Sequence, residues 1–166
     1  MSLPNHKKIK IYSLGGSIDK NYSMEESNFV VHDPQVDSIL KQANVKVTYE
    51  IEEVLRKDSL EISESDRKNL RKKIFEDSCD HIIITHGTDT MHLTGKALSS
   101  INNKVIVITG AMHPASFKET DANFNIGAAF ISVQTMPPGV YIVMNGKIFN
   151  PGKVVKNFDK KAFEET

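Results

Sequence analysis

Four short apolar runs rich in β-branched residues punctuate the chain: Ile9 to Leu14, Ile82 to Thr85, Val105 to Thr109 and Val140 to Met144. They hardly alternate between apolar and polar positions, which predicts strands buried on both faces, as in a parallel sheet. Between them the apolar spacing changes to three and four. "DPQVDSILKQA" predicts a helix with Asp33 as N-cap and Pro34 at the first helical position. "SESDRKNLRKKIFEDS" predicts a second, opened by Ser63 and Asp66 at capping-box spacing, with the charge run "RKNLRKK" as its solvated face. "DTMHLTGKALSSI" and "DANFNIGAAFISVQT" predict two more. "VKVTYEIEEVL" adds a strand of uncertain length, Gly15 to Asp33 reads as a functional loop or a hairpin, and "GKVVKNFDKKAFEET" as a last strand with a polar tail. Strands alternating with helices predict βαβ crossovers. The expected fold is α/β, a doubly wound, mostly parallel sheet with helices on both faces, Rossmann-like or flavodoxin-like.

The 166 residues suit one globular domain. Lys and Arg (21) balance Asp and Glu (21), so no basic field draws the chain to nucleic acid or anionic membranes. The single Cys79 points to neither a disulfide framework nor a zinc site. No apolar run approaches membrane-spanning length, and "MSLPNHKKIK" lacks the apolar core of a leader, so a cytoplasmic protein is expected.

Open α/β sheets bind ligands outside the carboxyl ends of their strands, so the polar groups there carry the chemistry. After the first strand comes "LGGSIDKNY", with Gly16, Ser17 and Tyr22; two glycines suit a plain turn or an anion nest. The "HIIITHGTDTM" stretch crowds Thr85, His86, Thr88, Asp89 and Thr90 into one strand end. Helix capping accounts for Asp89 alone and leaves Thr85, His86 and Thr88 unexplained. "VIVITG" leads into "AMHP", and the last strand carries Lys156. A hydroxyl is a poor nucleophile at neutral pH unless a base takes its proton, so a Thr, a Lys and an Asp brought together would form a reactive unit.

Together "LGGSID", "DS" at Asp58 and Ser59, "THGTDTM", "TGAMHP", "DANFN" and "GKVVK" resemble, in order, the N-terminal domain of bacterial-type L-asparaginases. The resemblance implies hydrolysis of the side-chain amide of L-asparagine or a related small amide through a covalent acyl-enzyme on a Ser or Thr hydroxyl, with no cofactor and no metal. Ser17 matches the family's first catalytic Thr, with Tyr22 as its partner. Thr88, Asp89 and Lys156 match the second catalytic set. Ser59, beside Asp58, matches a residue holding the substrate α-carboxylate; Asp89 would also meet the α-amino group, and the Ala111 carbonyl the side-chain amide. Gly87 and the backbone around Thr88 would serve the oxyanion.

Three departures follow. Ser17 lacks the methyl that restricts a Thr rotamer. Leu60 stands where the longer enzymes commonly place a Gln that binds the α-amino group. Residues 1–166 are expected to form a single N-terminal-type domain without the C-terminal domain, from which a neighbouring subunit of the long enzymes supplies an acidic residue and an Asn. These departures imply weak discrimination for the α-amino group. The resemblance also implies a homo-oligomer, dimer or tetramer, acting on a small amide or amino acid. Alternatives are an amino-acid or amide sensor and half of a split enzyme completed by a partner.

Overall fold

The computed structural model describes residues 7–166; the first six positions of "MSLPNHKKIK" lie outside the described residues. Its centre is a six-stranded sheet. The strands are β1 (Ile9–Gly15), β4 (Tyr49–Lys57), β5 (His81–Thr85), β6 (Val105–Thr109), β7 (Gly139–Met144) and β8 (Lys147–Phe149), with β2 (Lys20–Ser23) and β3 (Asn28–Val31) forming a separate hairpin. The sheet order is β4-β1-β5-β6-β7-β8, parallel except for β8, which turns back antiparallel on β7. Taking the five parallel strands in chain order, the arrangement is the flavodoxin-like doubly wound one, and the strand order reverses between β1 and β5.

The lack of alternation in the strands has its cause in two cores, one on each face. Tyr12, Leu14, Ile82, Ile84, Ile106 and Ile108 face helices α2 (Glu64–Glu76) and α3 (Met91–Leu98) through Leu70, Ile74, Met91 and Leu98. Ile9, Ile11, Ile83, Val105 and Val107 face α1 (Val36–Gln42) and α4 (Ala122–Thr135) through Val36, Leu40, Ile126 and Val133. The fold class expected from the pattern is the one found. The capping box at the start of α2 is complete: the Ser63 hydroxyl accepts from the Asp66 amide and the Asp66 carboxylate from the Ser63 amide. Such a cap contributes about 1 kcal/mol.

Three expectations need correction. Asp33 does not cap α1; it lies outside the first turn and accepts from Arg56 at 2.6 Å, while the Gln35 amide donates to buried Asp19 at 2.8 Å. The charge run of α2 is not wholly solvated, because Arg67 is buried between α2 and α3, its guanidinium on Thr94. The polar tail is a strand: β9 (Val154–Asn157) pairs antiparallel with β10 (Ala162–Glu165), and Phe163 buries its ring against Phe149. The ambiguous stretch after Gly15 resolves as a short 3-10 turn, Ser17–Asp19, followed by the β2–β3 hairpin. Among the described residues no helix is long and apolar enough to cross a membrane.

Candidate active site at the carboxyl end of the sheet

The reversal of strand order between β1 and β5 places two loops side by side, and glycines let their backbones touch. A methyl added to Gly16, whose φ is +87°, would fall 2.3 Å from the Gly87 Cα; one added to Gly87 would fall 2.6 Å from the Ser59 Cβ. Three segments therefore converge at Gly87: the Gly16–Ser17 turn, the Ser59 turn after β4, and the loop after β5. Contacts this close tolerate no side chain at either glycine. Ser17, Ser59 and Thr88, distant in sequence, are brought to one junction at the switch point of the sheet.

Lys156 arrives from the other direction. The turn Pro151–Lys153 seats on α3, where Gly95 leaves room for Pro151, and Val154 buries below it. Strand β9 then carries the Lys156 side chain over the β5 loop. Its Nζ lies 2.7 Å from the Thr88 Oγ1 and forms an ion pair with Asp89, in hydrogen-bond contact. The ammonium also lies 5.1 Å from the centre of the Phe158 ring, a favourable cation-π distance. Thr88 is buried, and the Lys156 side chain is only 13% exposed. Asp89 is thus committed to Lys156 and does not cap α3; the N-cap position is Thr90, whose hydroxyl donates to the Ser59 carbonyl at 2.7 Å. Among the described residues the amides of Gly87, Thr88 and Asp89 have no hydrogen-bond acceptor, so three neighbouring N–H groups remain open to a ligand.

Ser17 and Tyr22 are arranged differently. No hydrogen bond joins them: Tyr22 is half exposed on the hairpin and packs edge-on against Phe29, which in turn meets Phe117. The backbone of the Ser17 turn is nonetheless fixed, with the Gly16 amide donating to Lys57 at 2.9 Å and the Ile18 carbonyl accepting from Ala115 at 3.1 Å. Asp58 accepts from the Leu60 amide, capping the turn that carries buried Ser59, and pairs with Lys20 at 2.6 Å. Partial burial opposes ionisation, but Lys20 and the Leu60 amide outweigh it and hold the Asp58 carboxyl below its usual range. Leu60 is largely exposed.

The loop after β6 carries buried Ala111 and is held by a residue that the sequence did not single out. Asp121 accepts from the Met112 amide at 3.0 Å, the His113 amide at 3.1 Å and the Asn125 and Asn145 side chains at 2.9 and 3.0 Å. Burial would raise its pKa, yet these donors keep it below the ordinary carboxylate range. Its signal was present as "DANFN", in which Asp121 and Asn125 are four apart on α4. Asp19 is a second such residue. Burial drives its carboxyl up to about 7 against the opposing Gln35 amide and Ser13 hydroxyl. Nothing local in "SIDK" announces a buried acid.

Cavities of about 460 and 490 Å³ lie away from this junction, one at the amino ends of β1 and β5 around Lys10, Glu50, Asp77 and Cys79, the other beside Tyr12, Glu52 and Lys73. Their charged linings pair with each other, Lys10 with Glu50 at 2.7 Å and Lys73 with Glu52 at 2.6 Å. The Thr88–Lys156–Asp89 contacts and the open amides lie instead at the carboxyl end of the sheet. Among the described residues no cluster of three or more His, Cys, Asp or Glu side chains is arranged to hold a metal ion.

Comparison with known proteins identifies the family. Residues 8–165 match the family model described as "Asparaginase, N-terminal". A glutamyl-tRNA(Gln) amidotransferase subunit from Methanococcus vannielii is 32% identical over 157 residues, covering 87% of this chain and 36% of that protein. L-asparaginase 2 of Escherichia coli is 31% identical over 171 residues, covering 94% of this chain and 47% of its own length. The solved structure of the thermostable L-asparaginase from Thermococcus kodakarensis superposes with a TM-score of 0.82 at 29% identity, over 96% of this chain and 51% of that one. The chain thus spans about a third to a half of the length of these relatives. The chain belongs to the asparaginase family and corresponds to its N-terminal domain.

Proposed function

We propose that this domain hydrolyses the side-chain amide of L-asparagine or a related small amide to a carboxylate and ammonia. The observation that carries this reading is Lys156 Nζ, held at once against the Thr88 hydroxyl and the Asp89 carboxylate from 67 to 68 residues away. A binder has no need of such a unit. A Ser17 or Thr88 oxygen attacks the amide carbon; the C–N bond breaks and ammonia leaves; water then cleaves the resulting ester. When Thr88 attacks, the step runs through Lys156 in its free-amine form: Nζ takes the hydroxyl proton and passes it to the departing nitrogen, which leaves as ammonia, while Asp89 holds Lys156 in place. The open amides from Gly87 to Asp89 suit the charge that builds on the carbonyl oxygen. Ser59, on the turn capped by Asp58, holds the α-carboxylate, and the Ala111 carbonyl takes the amide nitrogen. With Leu60 exposed and Asp89 engaged by Lys156, recognition of an α-amino group is weak. A homo-oligomer in which an adjoining subunit covers the open side of the site completes the proposal.

The test is ammonia release from L-asparagine, D-asparagine, L-glutamine and simple amides, with Thr88→Ala alongside. Turnover that vanishes in the variant supports the reading. A preference for L-asparagine over amides lacking the α-amino group should stay well below roughly 10⁴-fold, the ratio reached by sites built to pair a buried polar group. No turnover, together with calorimetric binding of one compound, would make the domain a sensor instead. The match to an amidotransferase subunit favours a second reading, in which the ammonia serves a partner protein. Co-purification of a second polypeptide that restores turnover would favour that one.

A further inference from the structure

A second chain of buried polar groups ends on the same loop as Thr88. Arg67 of α2 donates from Nε to the Thr94 Oγ1 at 3.1 Å. That oxygen lies 2.7 Å from the His86 Nε2, and the His86 Nδ1 lies 2.7 Å from the Gly87 carbonyl oxygen. All three side chains are buried, Thr94 and His86 completely. The direction of every proton in the chain is determined by its ends. A carbonyl only accepts, so Nδ1 carries the ring proton; Nε2 then accepts, and the Thr94 hydroxyl donates to it. Arg67 cannot accept, so its N–H points at the Thr94 oxygen. Burial keeps the ring neutral, its pKa lowered to about 4.

A satisfied buried network usually does nothing beyond fixing the packing of its elements. This one differs in where it stops. Its last acceptor is the carbonyl of the peptide whose nitrogen belongs to Thr88, and that N–H is one of the three amides without an acceptor among the described residues. A hydrogen bond to a peptide carbonyl polarises the whole amide and strengthens its N–H as a donor. The guanidinium at the far end polarises each link in the same sense.

We propose that Arg67, Thr94 and His86 are positioning residues that polarise the Gly87–Thr88 peptide and so sharpen the Thr88 N–H as an oxyanion donor. This rests on the amidohydrolase reading for its catalytic consequence, but not for the polarisation itself. Lys156, held by Asp89, acts on the Thr88 hydroxyl; the buried chain acts on the Thr88 amide.

The experiment combines nitrogen NMR of the His86 ring, the Thr88 amide proton shift and steady-state kinetics on L-asparagine. The unmodified protein should show the Nδ1–H tautomer. Thr94→Val should move the Thr88 amide proton upfield and lower kcat about tenfold with KM unchanged, since a weakened donor acts mainly in the transition state. Thr94→Ser, which keeps the hydroxyl, should restore both values. An Nε2–H tautomer in the unmodified protein overturns the proposal even if Thr94→Val does not fold. So does a folded Thr94→Val with the Thr88 amide shift and kcat unchanged. If the unmodified protein hydrolyses none of the amides yet shows the Nδ1–H tautomer and the Thr94-dependent shift, the amidohydrolase reading fails and the polarised peptide stands.

Discussion

Two hydroxyl-bearing residues, Thr88 and Ser17, belong to segments that meet at one junction, and they are held in different ways. Thr88 sits at the end of a central buried strand, bonded to Lys156, with Asp89 next to it in sequence locking that ammonium in place. Ser17 lies in a short turn ahead of a hairpin whose outer aromatic residues are half exposed, and its designated partner Tyr22 makes no hydrogen bond to it. The contrast is between a hydroxyl already bonded to its partners and one whose expected partner stands apart from it. Preorganisation lowers the barrier before substrate arrives; a hydroxyl with no bonded partner gains no such advantage in the resting site. Both arrangements fit one site, and each fails in its own way when altered.

The largest effect is expected on the fixed side. Lys156→Met and Thr88→Ala should each lower kcat by about 10³-fold or more with a far smaller change in KM, because each removes a member of one proton-transfer unit. On the Ser17 side, Tyr22→Phe should cost only about tenfold in kcat, because no bond present in the resting site is lost. Ser17→Thr should raise kcat a few-fold, roughly two to five, by restoring the methyl that restricts the hydroxyl rotamer. Steady-state ammonia release on L-asparagine and simple amides reads all four. Equal losses for Tyr22→Phe and Lys156→Met would erase the distinction between the two sides.

The smallest effect concerns the support of the Ser17 turn. The Asp19 carboxyl holds its proton more tightly in the folded chain, at about 7, than its ordinary value of 3.8. The folded state therefore binds more protons than the unfolded one between these values, and stability falls as pH rises through that window. Asp19→Asn keeps an acceptor for the Gln35 amide and cannot ionise. Its melting temperature should exceed that of the unmodified protein by several degrees at pH 8, with the gap narrowing toward pH 4. A gap independent of pH would show that Asp19 carries its charge in the folded chain at no cost.

What was legible in the sequence follows local spacing. The doubly wound sheet came from β-branched runs that do not alternate, and the Ser63 cap from a spacing of three residues. The crowd of polar groups in "THGTDT" pointed to the Thr88 loop because capping explained only one of them. The illegible parts depend on partners far along the chain. The Gln35 amide is taken by Asp19, sixteen residues earlier, so Asp33 had no capping role to fill. Arg67 read as solvated because it lies in a charge run, and only α3 packing beside α2 buries it on Thr94. Strand β10 was hidden by its polar composition, since Phe163 alone of its four residues is fully buried.

The central claim, that Thr88 and Lys156 act as one unit, is tested most directly by a double-mutant cycle on kcat. Thr88→Ala, Lys156→Met and the double variant should lose activity to nearly the same extent, since the first substitution already disables the unit. Losses that multiply in the double variant, or single variants with unchanged turnover, would show that the two residues do not share a proton and would remove the unit from the mechanism.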